Sequence, residues 1–131
     1  MARPKSENPT ELELEILKIL WQKSPLSVRD VREHLEANGR KLTHSSVITM
    51  LNIMVRKGYL KREKEGKAFL FTPTGTQQDI TGGIVGDLVS RVFGGSTSAM
   101  MLNLLETGEL DVDELSEIRK LINRKVKEQK K

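Results

Sequence analysis

The chain has 131 residues, 22 basic and 18 acidic side chains, a formal net charge of +4 and no cysteine. That length allows one ordinary domain or two small ones, and the missing cysteine excludes disulfides and thiolate metal sites. No apolar run approaches the roughly 18 residues that span a bilayer, so we expect a soluble, cytoplasmic protein. Residues 1–73 carry 14 basic and 9 acidic side chains, against 8 and 9 in residues 74–131, a bias typical of a first half that binds a polyanion.

The first half begins with two predicted helices. Residues Met1–Pro9 lack an apolar cluster, so we expect a loose arm that is either disordered or reaches toward DNA. The capping-box pattern of Thr10–Glu13 starts a helix that runs to about Gln22, with leucine and isoleucine on one face. Ser27 then caps a second helix, which Gly39 ends.

A third helix is predicted after Thr43, which is its cap. One face carries apolar residues at helical spacing, namely Val47, Met50, Leu51, Met54 and Val55. Gly58 follows a basic last turn, as is typical where a helix stops at a left-handed residue. The other face is short, polar or basic and poor in carboxylates, with His44, Ser45, Ile48, Thr49, Asn52 and Arg56.

Two short strands follow this helix. Tyr59–Lys64 and Lys67–Phe71 flank Glu65–Gly66, a pattern that predicts a β-hairpin. Three helices and then a basic hairpin are the order of a winged helix-turn-helix, in which the hairpin is the wing. The predicted fold class is therefore mostly α with a small β-hairpin wing.

The charges around the third helix suggest a partner. Residues 40–67 hold eight basic and two acidic side chains, and short hydroxyls and amides on a helix can approach base edges in the major groove of double-stranded DNA. Phosphate contacts would come from the flanking basic residues Arg40, Lys41, Arg56, Lys61, Lys64 and Lys67. The alternative is a solvated helix beside an ordinary hairpin, because charge runs usually face water.

A composition shift after Pro73 marks the expected boundary between a winged-helix domain, residues 1–73, and a helical domain, residues 74–131. Three helices are predicted in the second domain, with apolar residues Ile84, Leu88 and Val92, then Met100, Met101, Leu104 and Leu105, then Leu115, Ile118, Leu121 and Ile122. Fewer than 60 residues rarely bury enough area to stand alone. We therefore expect these helices to pack against a second copy, the alternative being packing against the first domain.

Catalytic and metal-binding patterns are missing from the sequence. It has no paired carboxylates in an apolar setting, no histidine-anchored nucleophile and no glycine-rich phosphate loop after a strand. Neither of the two histidines has a second ligand at helical spacing. We expect no enzymatic activity, no metal and no cofactor.

An ordered set of motifs resembles the penicillinase-repressor family, the BlaI/MecI-like bacterial winged-helix repressors. The matching stretches cover nearly the whole chain and are Glu13–Trp21, Ser24–Val31, Ser46–Asn52, Lys57–Leu60, Arg62–Phe69 and Phe93–Ser96. The resemblance implies a homodimeric transcriptional repressor of antibiotic-resistance genes, with each winged helix on half of a dyad-symmetric operator. It maps the recognition residues onto Thr43, His44, Ser45, Ser46 and Thr49.

The resemblance also implies a mode of regulation. Family members that control β-lactamase are inactivated after a signal from a membrane-bound sensor metalloprotease, by a cut that maps to the Asn103–Leu104 bond. The family commonly has a basic residue at the position of Ile48 and an aromatic one at that of Leu104, and this chain has neither. Its copper-responsive branch carries C-terminal cysteines, which this chain lacks.

One alternative function shares the predicted fold. A winged helix can serve protein–protein contact, without sequence-specific DNA binding. Such a module does not need a carboxylate-poor third helix, and it would not retard promoter DNA at low salt.

Overall fold

The computed structural model describes residues 8–130, so residues 1–7 of the expected arm lie outside the described range. The elements in order are α1 Glu11–Gln22, β1 Leu26–Ser27, α2 Val28–Ala37, α3 His44–Arg56, β2 Leu60–Glu65, β3 Ala68–Pro73, α4 Gln77–Val92, α5 Thr97–Thr107 and α6 Val112–Gln129. The predicted class, mostly helical with a small sheet, is confirmed. No helix in the described range is long and apolar enough to cross a membrane.

The apolar stripes of the first three helices meet in one core. Val47, Leu51 and Met54 of α3 have no exposed area and pack with buried residues of α1, α2 and the strands. The third helix ends as predicted, because Gly58 adopts a φ of 89° and the Tyr59 N–H donates to the Met54 carbonyl at 2.9 Å. This core fixes which face of α3 remains outside.

The sheet has three strands in the order β1-β3-β2, whereas the sequence predicted a two-stranded hairpin. The extra strand β1 is two residues long and pairs Leu26 with Phe71 in antiparallel register. A pair of residues is too short to show an alternating pattern, which is why it was not predicted.

The hairpin turn also differs from the prediction by one residue. Glu65 pairs with Ala68, so the two turn residues are Gly66 and Lys67 and not Glu65 and Gly66. Gly66 takes the positive φ of 63° that a two-residue hairpin loop requires. Lys67 therefore lies at the tip of the wing itself.

The second half consists of helices with little buried surface. Ser96 caps α5 by accepting the Ala99 N–H at 3.1 Å, and Asp111 and Glu114 form a capping box on α6. Neither α5 nor α6 contains a buried residue. Capping residues therefore define where these helices begin, while their apolar faces remain exposed within one chain.

By compactness the chain divides inside α4, between Val85 and Gly86. The boundary expected from composition lies after Pro73, twelve residues earlier, and stays a prediction. Of the residues predicted to form a dimer, Ile84 falls on the N-terminal side of the division and the others on the C-terminal side.

Candidate nucleic-acid interface

The outer face of α3 is a carboxylate-free surface. His44, Ser45, Ser46 and Thr49 are exposed, and the helix contains no aspartate or glutamate. Thr43 caps the helix, since its Oγ1 accepts the Ser46 N–H at 3.1 Å and donates to Ser46 Oγ at 2.9 Å. The structure thus brings all five predicted recognition residues to the first two turns, the part of a recognition helix that reaches base edges.

The wing has two distinct faces. Side chains alternate along a strand, so Lys64 lies on the same side of β2 as the buried Leu60, toward the core, and Lys61 lies on the other side with Glu63. Lys64 pairs across the hairpin with Phe69. Lys61 and Lys64 are the two predicted phosphate contacts on β2, and Lys64 is the one on the side of the strand whose Arg62 contacts α3.

A three-residue contact joins the wing to α3. Arg62 Nη1 donates to the side-chain oxygen of Asn52 at 2.6 Å, and the Arg62 guanidinium lies 4.6 Å from the centroid of the Phe69 ring, a cation–π distance. None of the three was predicted as a site residue. Asn52 could have been predicted from helical periodicity, because it lies one turn after Ile48. Arg62 could have been predicted from strand alternation, because it lies two residues before Lys64 on the same side of the strand.

The wing and α3 enclose a groove of about 580 Å³. Its lining holds basic and apolar side chains but no carboxylate: Ser27, Val28, Arg29, His44, Ile48, Asn52, Arg62, Lys67, Ala68, Phe69 and Phe71. Arg29, which was not predicted either, also pairs with Glu33 at 3.2 Å on the surface of α2. A groove with this lining suits a polyanion.

Arg40 makes a different contact from the one predicted. Its guanidinium binds Glu15 of α1 through two hydrogen bonds, of 2.9 and 2.6 Å. These hydrogen bonds and the attraction between the two opposite charges lower the pKa of Glu15 and raise that of Arg40. In this structure the guanidinium of Arg40 therefore faces a carboxylate. Its role as a phosphate contact stays a prediction, as do those of the exposed Lys41 and Arg56.

A buried carboxylate fixes the far end of α3. Glu13 is 1% exposed, its Oε1 accepts the Thr10 N–H at 2.9 Å, and its Oε2 accepts from Nζ of Lys57, the C-cap of α3, at 2.8 Å. Burial alone would raise the pKa of Glu13, but the bonds from Lys57 and Thr10 and the charge of Lys57 lower it. The capping box on α1 was predicted; the link to α3, 44 residues away, was not.

Within residues 8–130, no group of three or more histidines, aspartates or glutamates is placed to hold a metal ion. Two short ion pairs tie α1 to other parts of the fold, Glu13 to Lys57 at 2.8 Å and Glu15 to Arg40 at 2.6 Å.

Comparison with known proteins places the chain among repressors. The family model described as "Penicillinase repressor" matches residues 9–124. The penicillinase repressor of Bacillus licheniformis is 27% identical over 86% of this chain and 88% of its own length, and the methicillin resistance regulatory protein MecI of Mammaliicoccus sciuri is 26% identical over 86% and 91%. The solved DNA-binding domain of the repressor BlaI is 28% identical, covers 59% of this chain and 93% of its own, and superposes with a TM-score of 0.50. The chain belongs to the penicillinase-repressor family.

Proposed function

We propose that the protein is a sequence-specific DNA-binding transcriptional repressor that acts as a homodimer on a dyad-symmetric operator. The observation that supports DNA binding most directly is the carboxylate-free outer face of α3 beside a basic wing. Family membership supports the repressor role, because its relatives are named as repressors.

Base edges and phosphates would be contacted by different residues. Ser45 and Thr49 are exposed on α3 with short hydroxyls, which suit base edges, whereas Lys64 on the wing suits a phosphate. Each lysine–phosphate contact releases counterions and steepens the dependence of affinity on salt. The two kinds of contact are therefore separable by experiment.

The test measures operator affinity by fluorescence anisotropy between 50 and 300 mM salt, on a site selected from random duplexes. Lys64→Ala should reduce the slope of log affinity against log salt by about 1 and weaken all sequences alike. Ser45→Ala and Thr49→Ala should instead reduce the preference for the selected site by about tenfold each, with little change in slope. Lys18→Ala, an equal loss of charge on the exposed side of α1, is the control and should leave both unchanged.

An unchanged slope for Lys64→Ala would remove the wing from the interface. A wild-type protein that selects no sequence and retards no promoter DNA at low salt would contradict the proposed function altogether. That outcome would favour the protein–protein module.

The homodimer is supported by apolar surface in the second half. Large apolar residues are exposed on all three helices, among them Val92 at 63%, Leu104 at 51% and Ile122 at 41%. Among the described residues after Val85, only Val89 is a buried apolar residue. Apolar faces on this scale mark an interaction surface, and a second copy is the partner that we propose.

The charges of the last helix support the same partner. Within α6, residues 112–117 contain three acidic and no basic side chains, whereas residues 119–129 contain five basic and one acidic. Two copies of α6 related by a two-fold axis across the helix run antiparallel, which sets the acidic half of each against the basic half of the other. Because a parallel pair would oppose like charges, the antiparallel pair is favoured.

Sedimentation velocity at micromolar concentration tests the dimer. We expect twice the chain mass of 14.8 kDa for the wild type and a monomer for Ile122→Asp, which puts a carboxylate in the apolar face. Asn123→Asp adds the same charge on the adjacent residue, turned about 100° around the helix, and should remain dimeric. A monomeric wild type would contradict the homodimer.

We also propose regulation by cleavage at the Asn103–Leu104 bond, after a signal from a membrane sensor metalloprotease. The bond lies inside α5, and the Asn103 carbonyl accepts a hydrogen bond from Thr107 Oγ1 at 2.8 Å, so α5 would have to unwind locally before it could be cut. Leu104 and Leu105 are exposed and belong to the proposed dimer surface. A chain cut at an engineered protease site there should lose dimer mass and operator affinity; retention of both would refute the regulation.

A further inference from the structure

An apolar residue lies at the centre of the polar face of α3. Ile48 is half-buried and lines the wing groove, with His44 one turn before it and Asn52 one turn after it. Three cations, Arg29, Arg62 and Lys67, line the same groove without any carboxylate. A partner of this groove must therefore be anionic overall and present an apolar group to Ile48.

Double-stranded DNA offers one such group in its major groove. The 5-methyl of thymine is the only apolar feature among the base edges there, and aliphatic side chains contact it. Ile48 lies in the second turn of α3, which begins at His44, within the part of a recognition helix that reaches bases.

The hydrogen bond from Arg62 decides what Asn52 can offer beside Ile48. A guanidinium can only donate, so the side-chain oxygen of Asn52 must face Arg62 Nη1, 2.6 Å away, and its NH₂ group must point elsewhere. The Phe69 ring lies 4.6 Å from the same guanidinium. Asn52 is thereby set to offer its NH₂ group as a donor, with one lone pair of its oxygen already engaged by Arg62.

Together the two residues match one base. In the major groove thymine presents its O4 acceptor next to its 5-methyl group, whereas cytosine presents an N4 amino donor. Because Ile48 and Asn52 are four residues apart, they are neighbours on the helix surface. We propose that Ile48 and Asn52 read a thymine in each operator half-site, Ile48 through the methyl and Asn52 through O4, with Arg62 as the positioning residue.

This inference rests on the proposed DNA-binding function, and its test can fail while that function stands. A half-site is first selected from random duplexes with the full-length wild-type protein. Each thymine is then replaced, one position at a time, by uracil, which lacks only the methyl, or by 5-methylcytosine with guanine opposite, which keeps the methyl and replaces O4 by an amino donor. Affinities are measured by anisotropy at one fixed salt concentration.

For one thymine per half-site, uracil should weaken wild-type binding about fourfold, the effect of one buried methyl, and 5-methylcytosine at least tenfold. Ile48→Ala should bring the thymine-to-uracil ratio to within about 1.5-fold of unity, while the ratio for 5-methylcytosine persists. Arg62→Met should instead bring the thymine-to-5-methylcytosine ratio close to unity and keep the uracil ratio, because it frees the side-chain oxygen of Asn52 to accept from the amino group.

Ile53→Ala, a loss of the same atoms from another half-buried position of α3, is the matched control and should keep both ratios. Ratios on one protein variant do not depend on how much of it is folded. A selected site in which no thymine responds to uracil, or a uracil response that survives in Ile48→Ala, overturns the assignment of Ile48. Equal binding of thymine and 5-methylcytosine overturns that of Asn52, and a wild type without sequence preference overturns the proposed function as well.

Discussion

The Glu13–Lys57 ion pair gives a stability prediction with a built-in pH test. Glu13→Gln keeps the shape of the buried side chain and removes its charge. A charge-assisted hydrogen bond contributes about 1.5–3 kcal/mol, but Lys57 is 46% exposed, so solvent screens part of the attraction. We expect the free energy of unfolding at pH 7 to fall by about 1–2 kcal/mol, a decrease of roughly 5–10 °C in Tm for a unit of this size.

The pH dependence follows from the lowered pKa of Glu13. Burial raises this pKa, but the hydrogen bonds from Lys57 and Thr10 lower it by more. The folded state holds this proton less tightly than the unfolded state, so ionised Glu13 stabilises the fold above its unfolded pKa of about 4.3. That contribution is lost as the pH falls through the lower, folded-state pKa. The gap between wild type and Glu13→Gln should therefore be constant from pH 7 to pH 5 and narrow progressively below about pH 4.

The assay is urea unfolding followed by fluorescence of Trp21, the only tryptophan in the chain. Its indole N–H donates to the Gly75 carbonyl at 3.2 Å, so it reports on the unit that contains Glu13. Protein concentration is held fixed, because dimerisation would shift apparent stability. Glu11→Gln, at an exposed position of the same helix turn, should change stability by less than about 0.5 kcal/mol. A gap that does not narrow as the pH falls below about 4 would refute the ionic origin.

Three further predictions concern the elements that present the interface. Thr43→Ala, which removes the cap that accepts the Ser46 N–H, should cost about 1 kcal/mol in urea unfolding, and Thr43→Ser should restore most of it. Leu51→Ala should cost about 2–5 kcal/mol, because Leu51 has no exposed area and truncation leaves a cavity, whereas Leu102→Ala, at a 60% exposed position, should leave unfolding of the Trp21 signal unchanged. Arg40→Gln should leave the salt slope of operator binding unchanged if the contact of Arg40 with Glu15 persists on DNA. A slope lower by about 1 would show that Arg40 contacts a phosphate.

The sequence predicted those parts of the fold that depend on neighbouring residues. Helix starts follow from the caps Thr10, Ser27 and Thr43, and the structure confirms each of them. Apolar spacing within one helix likewise identified the buried face of α3. These signals act within one or two turns, so they can be found without knowledge of the tertiary structure.

The features that escaped prediction join residues far apart in the chain. Arg62 and Asn52 are 10 residues apart, and Arg40 binds Glu15 across 25 residues. Whether a surface arginine faces a phosphate, a ring or a carboxylate depends on which helix packs beside it, and charge alone gives no such information. The sequence therefore indicated the helix and hairpin that carry the candidate site, but not the side-chain pairs that orient its residues.

The two halves of the chain differ in how their stability depends on association. The first has a core of residues such as Leu51 and Phe71 that are almost entirely buried within one copy, so its fold does not require a partner. The second leaves most of its large apolar side chains exposed, so on the proposed dimer its stability depends on the second copy. Any event that separates the copies would then leave the DNA-reading fold intact and remove the linkage of two half-sites, which can supply a factor of about 10²–10⁴ in affinity. On the proposed dimer, damage to the apolar half alone would therefore release the protein from its operator.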